Sequence, residues 1–221
     1  MEFKLFKKFA SLEGLELVLF IAAAALFLLL LLIVVRNAKK RPAEGATPAM
    51  RTRALVYGAL CLTLSFVLSY FKLFSMPFGG SITLCSMLPI VAYACYFGPA
   101  AGFLTGLAYA VLQIVQGAYI VHWVQFLLDY FVAFTVLGIA GFFPKKLPAA
   151  MLIAGFARML VSTVSGAVFF GDSGFDYGIA NPWAYSILYN GLTIGVDTVV
   201  CAIVSAIPAV RRAIESAFGT K

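Results

Sequence analysis

The amino-acid sequence predicts an all-α integral membrane protein, because apolar residues dominate its composition and its charges lie outside the apolar runs. Of its 221 residues, 63% are hydrophobic and 11% are charged, whereas a soluble domain carries about 25% charged residues. The mean hydropathy is +1.01. Lys and Arg outnumber Asp and Glu by 16 to 9, and their position between apolar runs indicates membrane topology rather than a nucleic-acid partner. This pattern argues against a soluble enzyme and against a disordered chain.

Seven apolar segments are predicted to cross the lipid bilayer as helices. A spanning helix needs about 20 apolar residues, and only the third and fourth segments are clearly shorter than that. The breaks between most of the segments are rich in Gly and Pro, which favour turns. The predicted segments are 14–35, 54–75, 82–97, 99–116, 119–142, 148–170 and 183–209.

The first apolar segment differs from the other six. Residues 1–35 contain a uniformly apolar helix without an internal polar residue, and a basic, Pro-containing linker at 36–53 follows it. No small-residue cleavage site follows the segment, which argues against a signal peptide. We therefore expect an added helix that serves as an anchor or as a lateral contact, a cytoplasmic linker, a six-helix substrate-binding domain at 54–210 and a cytoplasmic tail at 211–221.

The distribution of Lys and Arg predicts the orientation of the helices. The linker 36–53 holds six cations and one anion, so we expect it in the cytoplasm. Counting helices from there places the basic pairs 145–146 and 211–212 inside and the acidic loop 171–182 outside. The lysines near the N-terminus conflict with this orientation if the first segment spans.

The fifth segment carries polar residues on one face. His122, Gln125 and Asp129 have i, i+3, i+7 spacing, and Tyr119 and Tyr130 flank them. Asp129 lies about 15 Å from the outer end of a helix that begins at residue 119. A carboxylate at that depth needs a cation, a proton or a wet cavity. A ligand site and an interhelical salt bridge both satisfy this requirement.

The sixth and seventh segments carry further polar groups. Arg158 and Asp197 are both expected near mid-membrane, and a structural ion pair between them is the simplest explanation of their presence. In the same two segments, small, polar and aromatic side chains are expected in the outer half. They are Ser162, Gly166, Phe170, Trp183, Tyr185, Ser186 and Asn190. Together with the fifth segment they predict an outward-facing pocket for a small aromatic cation, since aromatic faces attract cations.

No motif of an enzyme or a metal site is present in the sequence. There is no GxxxxGK phosphate loop, HExxH or GxSxG pattern. The four cysteines are scattered through apolar runs and form no CxxC pair, so they predict buried side chains rather than a metal centre. We expect neither catalysis nor a cofactor.

Four motifs, in order, resemble the thiamine-specific S components of energy-coupling factor (ECF) transporters. They cover the core from about 54 to 210. They are FGGSITLCSMLP at 78–89, QFLLDY at 125–130 followed by LGIAG at 137–141, SGAVFFG at 165–171, and WAYSILYNG at 183–191.

The resemblance implies a six-helix subunit in the plasma membrane of a prokaryote that binds thiamine, or a close relative, from outside. Its partners would be a membrane T component and two cytoplasmic ATPases. Asp129 would meet the thiazolium cation and Phe170 would stack near it. The other pocket residues implied are Tyr119, Tyr130, Gly166, Tyr185, Ser186 and Asn190, and the small residues implied at the T-component contact are Ala54, Gly58 and Ala59. Ser162 stands where many members have a ligand-contacting His.

The sequence supports three other functions less well. A stand-alone secondary transporter could use Asp129 or Asp197 to couple protons, but no clear internal repeat supports it. An intramembrane enzyme could use Asp129 and His122 as acid and base, but the chain has one histidine. A purely structural membrane protein would leave the polar faces unexplained.

Overall fold

The computed structural model describes residues 48–144 and 146–218, together with Ala25 and Leu32. The predicted anchor helix at 14–35, apart from those two residues, and the linker up to residue 47 lie outside the described residues. The helices and strands below therefore belong to the predicted six-helix domain and the tail.

Residues 48–144 and 146–218 form seven helices, one β-hairpin and two short 3-10 helices, Pro77–Gly79 and Gly171–Tyr177. The hairpin pairs β1 with β2 in antiparallel register, with Lys72 opposite Thr83 and Ser75 opposite Ser81. The elements in chain order are α1 (Pro48–Tyr70), β1 (Lys72–Ser75), β2 (Ser81–Thr83), α2 (Leu88–Phe97), α3 (Pro99–Gly117), α4 (Trp123–Phe142), α5 (Leu147–Phe169), α6 (Pro182–Ala206) and α7 (Pro208–Phe218).

Five of these helices are long and apolar enough to cross a membrane. They are α3, α4, α5, α6 and the Thr52–Tyr70 part of α1, whereas α2 is a shorter apolar helix. The prediction of an all-α integral membrane protein is confirmed.

The boundaries of the second and third predicted segments are wrong. The helix expected over 54–75 ends at Tyr70, and the helix expected over 82–97 begins at Leu88. The hairpin occupies the chain between them. Its turn contains Pro77, which suits a turn, and Gly79 with a positive φ of 89°, and the residues on both sides of this turn pair as strands instead of extending the helices. A short apolar run does not distinguish a strand from a helix.

The last predicted segment also ends differently from the prediction. Helix α6 stops at Ala206 rather than at residue 209, because Pro208 cannot continue it and starts α7 instead. The predicted tail at 211–221 thus belongs largely to a helix. Ile214 and Phe218 on α7 pack against the core, and Arg211 pairs with Glu215 at 2.8 Å on its exposed face.

The core lies around α2, which is buried along most of its length. Ile90 and Val91 of α2, Leu137 of α4 and Met151 of α5 have no exposed surface. The outer surface carries large exposed apolar side chains, for example Val115 on α3. This surface faces lipid, which explains why the hydrophobic fraction of the sequence exceeds what a single core can bury.

Candidate ligand-binding site

A cavity of about 190 Å³ lies at the end of the bundle where the hairpin, the C-terminus of α3 and the N-termini of α4 and α6 meet. This volume far exceeds the 10–15 Å³ or so that a single water requires. Nearly all of the predicted pocket residues line it. They are Tyr119, Gln125, Asp129, Tyr130, Ser162, Gly166, Phe170, Tyr185, Ser186 and Asn190.

The structure places the two other predicted residues, His122 and Trp183, beside the cavity rather than in its lining. His122 is the N-cap of α4, where its Nδ1 accepts a hydrogen bond from the Val124 N–H at 3.2 Å. Its ring stacks on Phe169 with 5.0 Å between the ring centroids. Trp183 lies in the first turn of α6 and is 52% exposed.

Gln125 holds the Asp129 carboxylate in place. Its Nε2 donates to Asp129 Oδ2 at 2.9 Å and to the Tyr119 carbonyl at 3.1 Å. Its Oε1 accepts from the Val121 N–H at 3.2 Å. The Tyr130 hydroxyl accepts from the Tyr119 N–H at 2.8 Å. The backbone of residues 119–121, which leads into α4, is therefore held by hydrogen bonds to the cavity-lining side chains of Gln125 and Tyr130.

Three aromatic rings stand together in the cavity wall. The ring centroid of Phe78 lies 5.7 Å from that of Phe170 and 6.1 Å from that of Tyr119, and the Tyr119 and Phe170 centroids are also 6.1 Å apart. These distances fall within the range of favourable aromatic pairs. Phe78 comes from the hairpin turn, so the cluster joins the hairpin to α5.

The α5–α6 side of the cavity presents small and polar groups. Asn190 Nδ2 donates to the backbone carbonyls of Ser186 at 3.0 Å and Ser162 at 3.3 Å, which leaves the amide oxygen of Asn190 available to a donor. A methyl group at Gly166 would collide with the Ser186 hydroxyl and would lie 3.2 Å from Asn190 Nδ2. Gly166 thus permits the close approach of α5 and α6 at this point.

The expected ion pair between Arg158 and Asp197 is wrong. Among the described residues, the ion pair found is Arg211 with Glu215. Asp197 instead accepts hydrogen bonds from the backbone N–H and the hydroxyl of Thr83, at 3.2 and 3.3 Å. The guanidinium of Arg158 lies over the Phe134 ring, 4.3 Å from its centroid. Arg158 and Asp197 lie at a similar depth in the sequence of their helices, but this similarity was not sufficient to predict that their side chains form an ion pair.

Sequence reasoning missed several cavity residues. Arg158, Asp197 and Thr83 all line the cavity, as do Tyr109 and Tyr189. The signal for Arg158 and Asp197 was the presence of charge within an apolar segment, which is itself an indication of function. No comparable signal marked Thr83, because its role depends on the hairpin.

Tyr189 and Asp197 of α6 hold the hairpin over the cavity. The Tyr189 hydroxyl accepts from the Gly80 N–H at 2.9 Å and donates to the Pro77 carbonyl. Together with the Thr83 contact, these bonds tie both the turn and the end of β2 to one helix.

Each of the helices α4 and α6 contains a π-helical turn beside the cavity. These turns span Leu127–Val132, which includes Asp129, and Gly191–Gly195, which follows Asn190 directly. Single π-turns within α-helices are frequent at functional sites. No group of side chains able to hold a metal ion occurs in the described ranges.

The fold and the cavity define a class: a multi-pass membrane protein that encloses a small polar site with aromatic and acidic walls. The family model for thiamine transporter protein (Thia_YuaJ) matches residues 55–215. The chain belongs to this family, which confirms the resemblance to thiamine-specific S components and a location in the plasma membrane.

Individual relatives agree with this assignment. The thiamine transporter ThiT of Bacillus subtilis (strain 168) is 35% identical over 147 residues, 59% of this chain and 75% of the relative. ThiT of Lacticaseibacillus paracasei is 28% identical over 138 residues, 53% of this chain and 68% of the relative. A solved ThiT structure from Listeria monocytogenes has a TM-score of 0.60 and 26% identity, and the match covers 72% of this chain and 97% of that one.

Replacing Thr83 by Val tests the contact between the hairpin and α6. The nearly isosteric change removes the hydroxyl that donates to Asp197. We expect the midpoint of thermal unfolding in detergent to fall by about 5 °C, since a hydrogen bond to a charged group contributes about 1.5–3 kcal/mol and each kcal/mol shifts the midpoint by about 2–4 °C at this size.

Thr63→Val is the matched control. The Thr63 hydroxyl bonds only within its own helix, to the Ala59 carbonyl at 2.9 Å on the exposed surface, so we expect an unchanged midpoint. Equal midpoints for the two variants would contradict a stabilising role of the Thr83–Asp197 contact.

Proposed function

We propose that this chain binds thiamine in the cavity and serves as the substrate-binding subunit of an energy-coupling factor importer. Family membership and the names of the ThiT relatives support the choice of ligand. The observation that carries the proposal is the position of the Asp129 carboxylate in a cavity whose wall also holds the Phe78, Tyr119 and Phe170 rings.

This combination of groups suits the thiazolium ring of thiamine. The ring is flat and carries one permanent positive charge, so it gains from both a carboxylate and the negative faces of aromatic rings. Gln125 donates to Oδ2 of Asp129, and hydrogen bonding of this kind favours the charged carboxylate. Phe170 is the ring that we assign to stacking.

The aminopyrimidine ring of thiamine has donor and acceptor groups that suit the α5–α6 wall. Ser186 and Asn190 are buried there, and Tyr130 and Tyr185 add hydroxyl groups to the lining. At Ser162, the serine side chain leaves room where many family members place an imidazole. His122 contributes by capping the N-terminus of α4 beside the site, and Trp183 lies in the first turn of α6, whose N-cap is Asn181.

The charges at the two ends of the bundle favour an outward-facing cavity. Arg53 and α7 lie at the same end, since Arg53 stacks on Tyr57 at 5.3 Å and Tyr57 contacts Phe218. Lys146 directly precedes α5 at the end away from the cavity. Because basic residues favour the cytoplasmic side, the cavity at the opposite end faces outside.

Coupling to ATP hydrolysis requires partners, since the sequence contains no phosphate-binding loop. We propose a membrane T component and two cytoplasmic ATPases. The apolar face of α1 is the surface that we assign to the T component. Ala59 lies on this exposed face beside Leu55, whereas Ala54 and Gly58 lie against Tyr93 of α2.

Thiamine titration of the purified chain tests the ligand and the role of Asp129. Trp123 and Trp183 lie within two residues of the cavity-lining Gln125 and Tyr185, so bound thiamine should quench their fluorescence. We expect saturable quenching by the wild type and at least about 30-fold weaker affinity for Asp129→Asn, since removing one partner of a buried charge pair costs about 2–5 kcal/mol.

Asp176→Asn is the control, because this residue is exposed on the 3-10 helix Gly171–Tyr177 and is not among the cavity-lining residues. We expect it to bind thiamine as the wild type does. Equal weakening by both substitutions, or saturable binding that is unaffected by Asp129→Asn, would contradict the assigned role of Asp129.

Thiamine uptake by cells tests the partnership. In a host without its own thiamine uptake, we expect accumulation when the chain is expressed with a T component and active ATPases. We expect none when the ATPases carry a disabled phosphate loop. Uptake by the chain alone that a protonophore abolishes would instead establish a proton-coupled secondary transporter.

A further inference from the structure

Two carboxylates and one guanidinium line the interior of the cavity. They belong to Asp129 on α4, Asp197 on α6 and Arg158 on α5. A fourth charge, that of Lys72, lies on the exposed strand β1, where water weakens its effect. Two negative charges and one positive charge leave one net negative charge inside the cavity.

The structure does not pair the guanidinium with either carboxylate. Arg158 forms no ion pair within 4.0 Å in the part of the chain that the structure describes. Its Nε is buried without a hydrogen-bond partner, and its Cζ lies over the Phe134 ring. The charge of Arg158 therefore acts across the cavity instead of cancelling one carboxylate at short range.

Neutral groups hold both carboxylates. Gln125 donates to Asp129 at 2.9 Å, and the Thr83 N–H donates to Asp197 at 3.2 Å. Such donors stabilise a carboxylate without removing its charge. The three charges consequently remain distinct, and their sum is felt by any ligand in the low-dielectric interior.

We propose that Arg158 sets the net charge of the cavity, so that the site selects a ligand carrying a single positive charge. The assignment rests on the proposed function, because the monocation is thiamine. Asp129 contacts the ligand, whereas Asp197 and Arg158 act on the ligand through their contribution to the net charge of the cavity. Without Arg158 the cavity would hold two uncompensated carboxylates, and without Asp197 it would be neutral.

A ratio of two affinities tests this proposal. Thiamine is compared with 3-deazathiamine, in which a neutral thiophene replaces the thiazolium ring, using the full chain in lipid nanodiscs at pH 8. The dissociation constant of the neutral probe divided by that of thiamine measures the selectivity for charge. Structural damage that weakens both ligands equally cancels in this ratio.

Single and double substitutions should move the ratio in opposite directions. We expect Arg158→Met to raise it about tenfold and Asp197→Asn to lower it about tenfold, because each changes the interior charge by one. The double variant should return to within about threefold of the wild type, since the two charge changes cancel. Arg158→Lys keeps the charge and should keep the ratio.

An unchanged ratio in Arg158→Met and Asp197→Asn, with both affinities reduced equally, would overturn the proposal and leave these residues a packing role. If Arg158→Met does not fold, the isosteric Asp197→Asn decides alone, because an unchanged ratio there contradicts the charge sum. Absence of saturable thiamine binding by the wild type would instead overturn the proposed function itself.

Discussion

Polar groups inside a helix bundle that faces lipid must find partners within the protein or in a cavity. Gln125 meets this constraint for Asp129, because one side chain bonds the carboxylate, the Tyr119 carbonyl and the Val121 N–H together. The side-chain amide of Gln125 therefore fixes the position of the Asp129 carboxylate relative to the start of α4 and to the cavity wall. A ligand that enters finds a carboxylate already oriented, so little ordering remains to be done on binding.

The hairpin is the second element that gives the cavity its shape. It contributes Phe78 to the aromatic cluster and Thr83 to the contact with Asp197, while Tyr189 holds its turn. A short two-stranded hairpin is marginally stable by itself, so these contacts with α6 determine where it lies. Binding site and fold are therefore stabilised by the same hydrogen bonds.

The sequence predicted the long helices well and the contacts between them poorly. Helix α3 begins at Pro99, which is the predicted start of the fourth segment. The helical periodicity correctly placed Gln125 and Asp129 on one face of α4. The same periodicity placed His122 on that face, but α4 begins one residue later and His122 caps it. The predicted ion pair between Arg158 and Asp197 was wrong for a related reason, because the depth of two residues in the membrane does not show whether their helices place them side by side.

A structure of the chain with thiamine bound is the decisive test of the roles assigned to Asp129 and Phe170. We expect the thiazolium nitrogen within about 6 Å of the Asp129 carboxylate, the range over which opposite charges stabilise each other strongly. We also expect the thiazolium ring to lie between that carboxylate and the Phe170 ring. Thiamine bound elsewhere, for example in the apolar groove between Phe156 of α5 and Val199 of α6, would contradict the assignment of the cavity as the thiamine site.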